Sequence, residues 1–570
     1  MQTTTMLMTT AATESIRDVS EGAPGRLVSP RVLVFRSCRM PQFADTLAWI
    51  RGHWPLAAID VVTSPGFDEP LHAAGVSRTF HYRGRSFGTL RNAALVRRLR
   101  AEGFEHIVIP QANDVAGQHA NLYRAAGAIG AGRFVVAAAD TPPAVLEPQA
   151  FRRLAIHASF WRLLDAVDVP LLLVLLVLAY LKPRTRVPAR RGRRRVLHVI
   201  SSLGVGGAQV QLAELIGRTP KETYDVEVLV LGRQDGDFSR QWLTRDDLTF
   251  HYSSAWPRRS LAALEVARLC RAERYDLVHT WLFMANVIGA AGARLGGAPR
   301  ILGSVRNMSL WKRTWYAQWW FRAADALATR VADQVTVNAT PLVADHAAWT
   351  WLRENRLVVV PNGLDPEGVM RHGAGAPAWL RRELGCPPDT KVVGTVGRLA
   401  PEKDQAMFIR AVALARAAGT DLHAVIVGDG VLRQALERQA REHAVADRVH
   451  FLGERSDARR VIAGLDVFVL TSQIEGFPNV LLEAAFLSVP AVSTRVGGAG
   501  DVLDADDLVD PGDAEGTCRR ILARLAHRDV AQGHATAIRR RALERFNVDR
   551  STARWFALYD RLLSDQGDGQ

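Results

Sequence analysis

Short runs of β-branched and aliphatic residues alternate with longer stretches whose apolar side chains recur every three to four positions. Runs of the first kind read as buried strands, stretches of the second as helices. Three series follow one another. Residues 30–150 hold Arg31–Arg36, Ala58–Thr63, His106–Pro110 and Arg133–Ala138, with a helical pattern over Thr89–Ala101. The second series is Arg195–Ile200, Val226–Leu231, Leu277–His279, Gln334–Val337 and Leu357–Val360. The third is Lys391–Val396, His423–Gly428, Val449–Leu452, Asp466–Leu470 and Val489–Ser493. Strict strand–helix alternation implies parallel sheets with helical crossovers, so the predicted fold class is α/β. The second and third series predict two doubly wound lobes, 196–365 and 366–545, facing a cleft. An extra α/β domain (30–150) precedes them, and a crossover helix and tail (546–570) follow.

The pattern breaks once. Val169–Leu181 is a run of 13 residues without a charge, and Lys182–Arg195 then holds eight basic residues and no acidic one. A membrane-crossing helix needs about 20 apolar residues. The run therefore reads as an interfacial or re-entrant anchor, with a full span and a buried helix as the other readings. Next to it, the cations of the 151–195 segment suit an anionic cytoplasmic leaflet. The net charge of +14 is concentrated there, without interleaved aromatics, which argues against nucleic acid as a partner. Residues 1–29 are Thr-rich, carry Glu14, Asp18 and Glu21, and read as a flexible leader. Cys38, Cys270, Cys386 and Cys518 lie far apart, which argues against a disulfide framework and a zinc site.

Candidate chemistry gathers where strands end. Ser201–Gln209 contains Gly204, Gly206 and Gly207 between a strand and a helix, a setting in which backbone N–H groups reach a phosphate. Arg398 and Lys403 follow the strand Lys391–Val396, five residues apart, and suit a diphosphate. Gly428 sits in another strand-to-helix turn. Ser472–Ala484 carries Glu475 in a loop and Glu483 on the following helix, with Gly476, Phe477, Pro478 and Asn479 between them. Each has a plain structural reading when taken alone: a tight turn, a surface ion pair, a carboxylate favouring a helix N-terminus.

Together, Leu203–Gln209, Asp276–Trp281, Val360–Asp365, Val396–Lys403, Val427–Gly430, Glu475–Glu483 and the closing Arg545–Tyr559 segment resemble the retaining enzymes of glycosyltransferase family 4, over residues 195–563. The resemblance implies the GT-B fold, two Rossmann-like lobes around a cleft, and transfer of a sugar from a UDP- or GDP-sugar donor without a metal or other cofactor. It assigns catalytic roles to Glu475, Arg398, Lys403 and His279. Gly206, Gly207, Arg398, Lys403, Gly428, Gly476, Phe477, Pro478, Asn479 and Glu483 would bind the donor, with Glu483 on the ribose. Arg306 and Asn307 would lie on the acceptor side. The acceptor is expected to be lipid-linked or a membrane-proximal glycan, as in bacterial surface polysaccharide or glycolipid synthesis. The expected location is the cytoplasmic face of the membrane. Trp311, Trp315, Trp319 and Trp320, with Lys312, Arg313 and Arg322, suit a membrane interface or ordinary core packing. Residues 30–140 weakly resemble half of a heptosyltransferase-like lobe, with Cys38–Pro41 replacing the expected glycine turn. Asp504-Ala-Asp506 resembles a metal-binding D-x-D but lies beyond the other motifs. A sugar-nucleotide epimerase of the same fold, or a non-catalytic nucleotide-sugar-binding protein, is the alternative. The first would consume donor without an acceptor, and the second would typically have lost Glu475, Arg398 or Lys403.

Overall fold

A computed structural model describes residues 29–36, 40–63, 68–82, 92–111, 120–138, 144–187, 192–204, 206–232, 248–255, 258–309 and 319–564. The chain divides into two units, Met1–Val167 and Asp168–Gln570. The first unit holds one six-stranded sheet, in the spatial order Arg78–His81, Ala58–Thr63, Arg31–Phe35, Phe104–Gln111, Ala131–Ala138, Ala144–Leu146. All neighbours are parallel except the last pair. Both faces are covered, which is why the central strand Arg31–Phe35 is a continuous apolar run rather than an alternating one.

The second unit contains two parallel sheets. The first lobe's seven strands lie in the order Leu357–Val359, Gln334–Val337, Arg300–Val305, Leu277–Trp281, Arg194–Ile200, Tyr224–Val230, Thr249–Tyr252. The second lobe's six lie in the order Val449–Gly453, Leu422–Val427, Lys391–Val396, Val467–Leu470, Ala491–Thr494, Leu508–Val509. In both, the chain order reverses beside the first strand, Arg194–Ile200 and Lys391–Val396. Ligands of open α/β sheets bind at the carboxyl ends of strands at such a reversal. That topology puts the loops after Lys391–Val396 and Val467–Leu470 side by side. The lobes are joined twice. Leu364 N donates to Phe546 O (3.1 Å) and Val548 N to Leu364 O (3.0 Å). Helix Val548–Ser564 then returns to bury Trp555, Leu558 and Tyr559 in the first lobe's core.

The apolar run differs from its expectation. It forms the end of the 34-residue helix Pro148–Leu181, and among the described residues no helix is long and apolar enough to cross a membrane. Val169, Leu172, Leu176 and Ala179, at helical spacing, belong to the same buried cluster as Val266 and Ile288 of the first lobe. Asp168 accepts from Arg259 N (2.9 Å) and Ser260 N (2.8 Å), satisfying the free donors at the start of helix Arg259–Glu273. One face of the run is therefore core. Several cations of the basic segment also have protein partners. Lys182 Nζ donates to Leu295 O (2.8 Å), Arg184 Nε to Asp333 Oδ1 (2.7 Å), and Arg195 pairs with Glu273 (3.0 Å). The opposite face, with Leu171, Val174, Leu178 and Leu181, is exposed.

Candidate functional site

The loop after Lys391–Val396 begins at Gly397 and ends in a short turn, Pro401–Lys403, ahead of helix Gln405–Ala417. It lies directly on the next glycine turn. A Cβ at Gly428, whose φ is +125°, would stand 2.1 Å from Gly397 O. No side chain fits there, so glycine at 428 serves this backbone contact. Lys403 Nζ reaches Glu475 Oε1 in the neighbouring loop at 2.6 Å, and Ser472 Oγ donates to the same oxygen at 2.7 Å. Lys403 and Glu475 are largely buried. Arg398 is not: its side chain is 71% exposed and pairs with Glu402 at 2.9 Å. The two predicted cations thus share a loop but not an orientation.

The Glu475 loop also touches the first lobe. A Cβ at Gly476 would lie 2.0 Å from Arg306 O and 3.1 Å from Asn307 Cα, so only glycine admits this approach. Pro478 precedes helix Asn479–Phe486, and Asn479 Oδ1 accepts from Asn362 Nδ2 of the interlobe segment (2.6 Å). A Cβ at Gly207, the first residue of helix Gly207–Gly217 after the cap residue Gly206, would lie 3.2 Å from Asn479 Nδ2. Gly207, Gly476 and Asn479 therefore stand where the two lobes meet, with Lys403 and Glu475 on the second-lobe loops beside them. Glu483, one helical turn deeper, is held by Arg459 Nε at 2.9 Å, and burial pushes its carboxyl above the usual range.

Two predicted residues belong elsewhere. Phe477 is buried against Phe546, with ring centroids 5.2 Å apart, and packs rather than presenting its ring to a ligand. His279 lies in the middle of the fully buried strand Leu277–Trp281. Its Nδ1 bonds Tyr559 OH (2.7 Å) and its Nε2 bonds Ser304 Oγ (2.8 Å). Both ring nitrogens are engaged inside the lobe, and burial pushes the ring's pKa well below its ordinary value. This arrangement makes His279 a structural residue with no open path to a sugar.

Arg306 and Asn307, just after strand Arg300–Val305, line a cavity of about 260 Å³ with Ser201, Leu282, Phe283 and Asp325. The Arg306 guanidinium lies over the Trp281 ring, 5.0 Å from its centroid. The Trp-rich segment falls mostly outside the described residues. Its end is described: Trp320 is buried, and Arg322 donates to Trp349 O (2.8 Å) and lies over the Trp351 ring. Asp504, Asp507 and His534 bring three metal-ligand atoms within 4.8 Å of one another. Arg541 pairs with Asp504 (2.7 Å) and Arg524 with Asp507, so guanidinium groups already neutralise both carboxylates. Asp504 also caps the turn Ala505–Asp507. Sequence reasoning missed Arg459, which holds Glu483 and sits in no motif, and gave no role to Asn362 of the Val360–Asp365 stretch, which only the folded chain pairs with Asn479.

Comparison with known proteins agrees with this fold. Residues 205–367 match the family model Glycosyltransferase Family 4, and residues 390–527 match Glycosyl transferases group 1. The lipopolysaccharide core biosynthesis glycosyltransferase LpsE of Rhizobium meliloti is 31% identical over 303 residues, 50% of this chain and 78% of that protein. The D-inositol 3-phosphate glycosyltransferase of Corynebacterium jeikeium is 30% identical over 298 residues, 47% of this chain and 71% of that protein. The crystal structure of Anabaena HepE in complex with UDP-glucose superposes with a TM-score of 0.57 at 23% identity, covering 64% of this chain and 99% of that one. At that identity the likeness speaks for the fold, two facing α/β lobes of the GT-B type.

Proposed function

The chain belongs to glycosyltransferase family 4, and from that premise we propose that it moves a sugar from a UDP- or GDP-sugar to a membrane-proximal glycan or lipid-linked acceptor, with retention at the anomeric carbon and without a metal. The observation that carries the reading is the Lys403–Glu475 pair, set at the second lobe's topological reversal and beside the loop that meets Arg306. The donor's diphosphate would lie between the N-termini of helices Gly207–Gly217 and Asn479–Phe486, with Lys403 as its counter-charge. Glu475 would accept from the hydroxyls of the transferred sugar, and Glu483 from the ribose.

In the proposed step the bond from the anomeric carbon to the diphosphate oxygen breaks, and the acceptor hydroxyl oxygen bonds to that carbon from the same face. The hydroxyl proton passes to the departing phosphate oxygen. The products are the nucleoside diphosphate and the glycoside. Lys403 stabilises the charge that develops on the leaving group, the preorganised electrostatic assistance on which such a reaction depends. Arg398, exposed and paired with Glu402, would turn inward onto the same diphosphate.

The acceptor's setting at the cytoplasmic face of a membrane rests on the exposed apolar face of Leu171, Val174, Leu178 and Leu181 and the neighbouring exposed Arg186. The deciding experiment is a screen of nucleotide sugars for thermal stabilisation of the full chain. Assays of the stabilising donor with lipid-extract acceptors follow. Stabilisation by one donor class, with product formed only when acceptor is present, supports transfer. Donor turnover without acceptor indicates an epimerase instead, and no stabilisation by any donor refutes the reading.

A further inference from the structure

Arg306 is 92% buried, yet its Nε and Nη2 make no hydrogen bond among the described residues. A guanidinium removed from water without a partner is among the costliest arrangements in a folded protein, and such groups are nearly always paired. Burial also pushes its pKa down to about 9, which leaves it charged at neutral pH. Among the described residues, no carboxylate pairs with it, and the Trp281 ring is its nearest favourable contact. Of the polar groups around it, Asn286 is spent: its Oδ1 accepts from Thr280 Oγ1 (2.7 Å) and its Nδ2 donates to Ser304 O (3.0 Å). Asn307 Oδ1 accepts from Met308 N (2.9 Å), which leaves its NH₂ as a donor. Asp325, the acidic residue among those lining the cavity, accepts from the Trp349 indole (2.9 Å).

The cavity beside Arg306 has apolar walls, among them Leu282, Phe283, Met284 and Val305, and every residue lining it comes from the first lobe. The site assigned to the donor diphosphate is built on Lys403, in the second lobe. The Trp281 ring lies 5.0 Å from the guanidinium carbon, a cation–π contact that fixes where the group sits, and the unpaired Nε and Nη2 are the two donors with which a guanidinium makes a planar, two-point contact to an oxyanion.

We propose that the acceptor is anionic, and that its phosphate or carboxylate group is bound in this first-lobe cavity by Arg306, with the Asn307 amide as a second donor. The inference rests on the reading in which the first lobe receives the acceptor. It narrows that reading to acceptors carrying an oxyanion near the hydroxyl that is glycosylated. The contact of Arg306 O with the Gly476 loop places such an anion next to the assigned sugar position.

The test uses inorganic phosphate as the probe and thermal stabilisation of the full chain as the readout, with UDP saturating so that the donor site is occupied. Phosphate is expected to give a saturable rise in melting temperature in the wild type and in Lys403→Ala. In Arg306→Gln the apparent Kd for phosphate should weaken by about tenfold or more, the loss typical of a charged hydrogen-bonding partner. Arg306→Lys, which keeps the charge without the fork, should retain a weaker response, and it stands in if the Gln variant does not fold. Glucose, a neutral probe, should give no Arg306-dependent shift. An equal phosphate response in wild type and both Arg306 variants, or none in the wild type, overturns the proposal. A response lost in Lys403→Ala and kept in Arg306→Gln also overturns it, by assigning the anion to the donor site. Failure of UDP itself to stabilise the chain counts against the donor reading alone, because the Lys403→Ala arm reads the Arg306 site separately.

Discussion

Lys403 Nζ lies 2.6 Å from Glu475 Oε1, although the two residues stand 72 positions apart and follow different strands. The pair exists because the strands Lys391–Val396 and Val467–Leu470 are parallel neighbours at the point where the sheet's order reverses. A cation and a carboxylate that neutralise one another here are ready to exchange partners when a diphosphate and a sugar hydroxyl arrive.

Replacing Lys403 with Ala is expected to lower turnover by about 10²–10³-fold, the usual loss for one preorganised charge-stabilising donor. Glu475→Gln should fall as well, through weaker orientation of the sugar. Circular dichroism spectra should stay unchanged, since both groups are loop residues. Initial rates with the donor found by screening check this, and wild-type turnover in Lys403→Ala would remove the lysine from the mechanism.

His279→Ala should behave in the opposite way. It leaves a cavity in a fully buried strand and strips partners from Tyr559 and Ser304. A loss of about 3 kcal/mol in unfolding free energy is expected. Turnover per folded molecule should stay close to wild type. Denaturant melts and active-site titration separate the two effects, and a rate collapse at full stability would restore His279 to catalysis.

Acid should unfold the first lobe early. Burial pushes His198 from its ordinary 6.5 down to about 3, and neighbouring His279 is pushed down too. The unfolded chain then binds more protons than the folded one below pH 6.5. Stability is therefore full above that pH and falls as pH drops towards 3, by about 1.4 kcal/mol per unit for His198, with His279 acting in the same direction. His198 Nδ1, which accepts from the Trp281 indole at 3.1 Å, would also lose that bond on protonation. Melting temperatures between pH 7.5 and about 5 test this, with a shallower slope expected for His198→Gln.

A methyl group at Gly476 would collide with Arg306 O. Gly476→Ala is expected to fold and to hold the lobes apart, with activity reduced by about 10²-fold through misplacement of Glu475. Small-angle scattering should report a larger radius of gyration. An unchanged radius with full activity would show that the contact is dispensable.

Membrane docking can be read from the helix face alone. Exchanging Leu171, Val174, Leu178 and Leu181 for Ser leaves the buried face intact. It should move the protein off vesicles containing anionic lipid in a flotation assay. Co-flotation at the wild-type level would place the membrane contact elsewhere or nowhere.

The architecture was legible because parallel sheets covered on both faces write their strands as largely apolar runs that do not alternate, as at residues 196–200 and 392–396. The second-lobe motifs were legible for a related reason: strand-end loops at a reversal must meet. His279 was misread because its strand runs on to Trp281, and nothing local separates a mid-strand histidine from one at a strand end. The Val169–Leu181 run looked like an anchor because composition does not reveal which face of a helix finds a partner. Phe477 was misjudged in direction, since its ring turns into the core, and Arg398 here points into solvent; side-chain direction is decided by packing across the fold.

Helix Val548–Ser564 supplies Trp555 and Tyr559 to a lobe whose sheet begins at Arg194. On the ribosome, therefore, the lobe that emerges first cannot close its hydrophobic interior until the second has almost entirely left the exit tunnel. Assembly of the two halves is tied to one late event. A nascent chain stalled before Val548 would present an open apolar seam to chaperones and proteases.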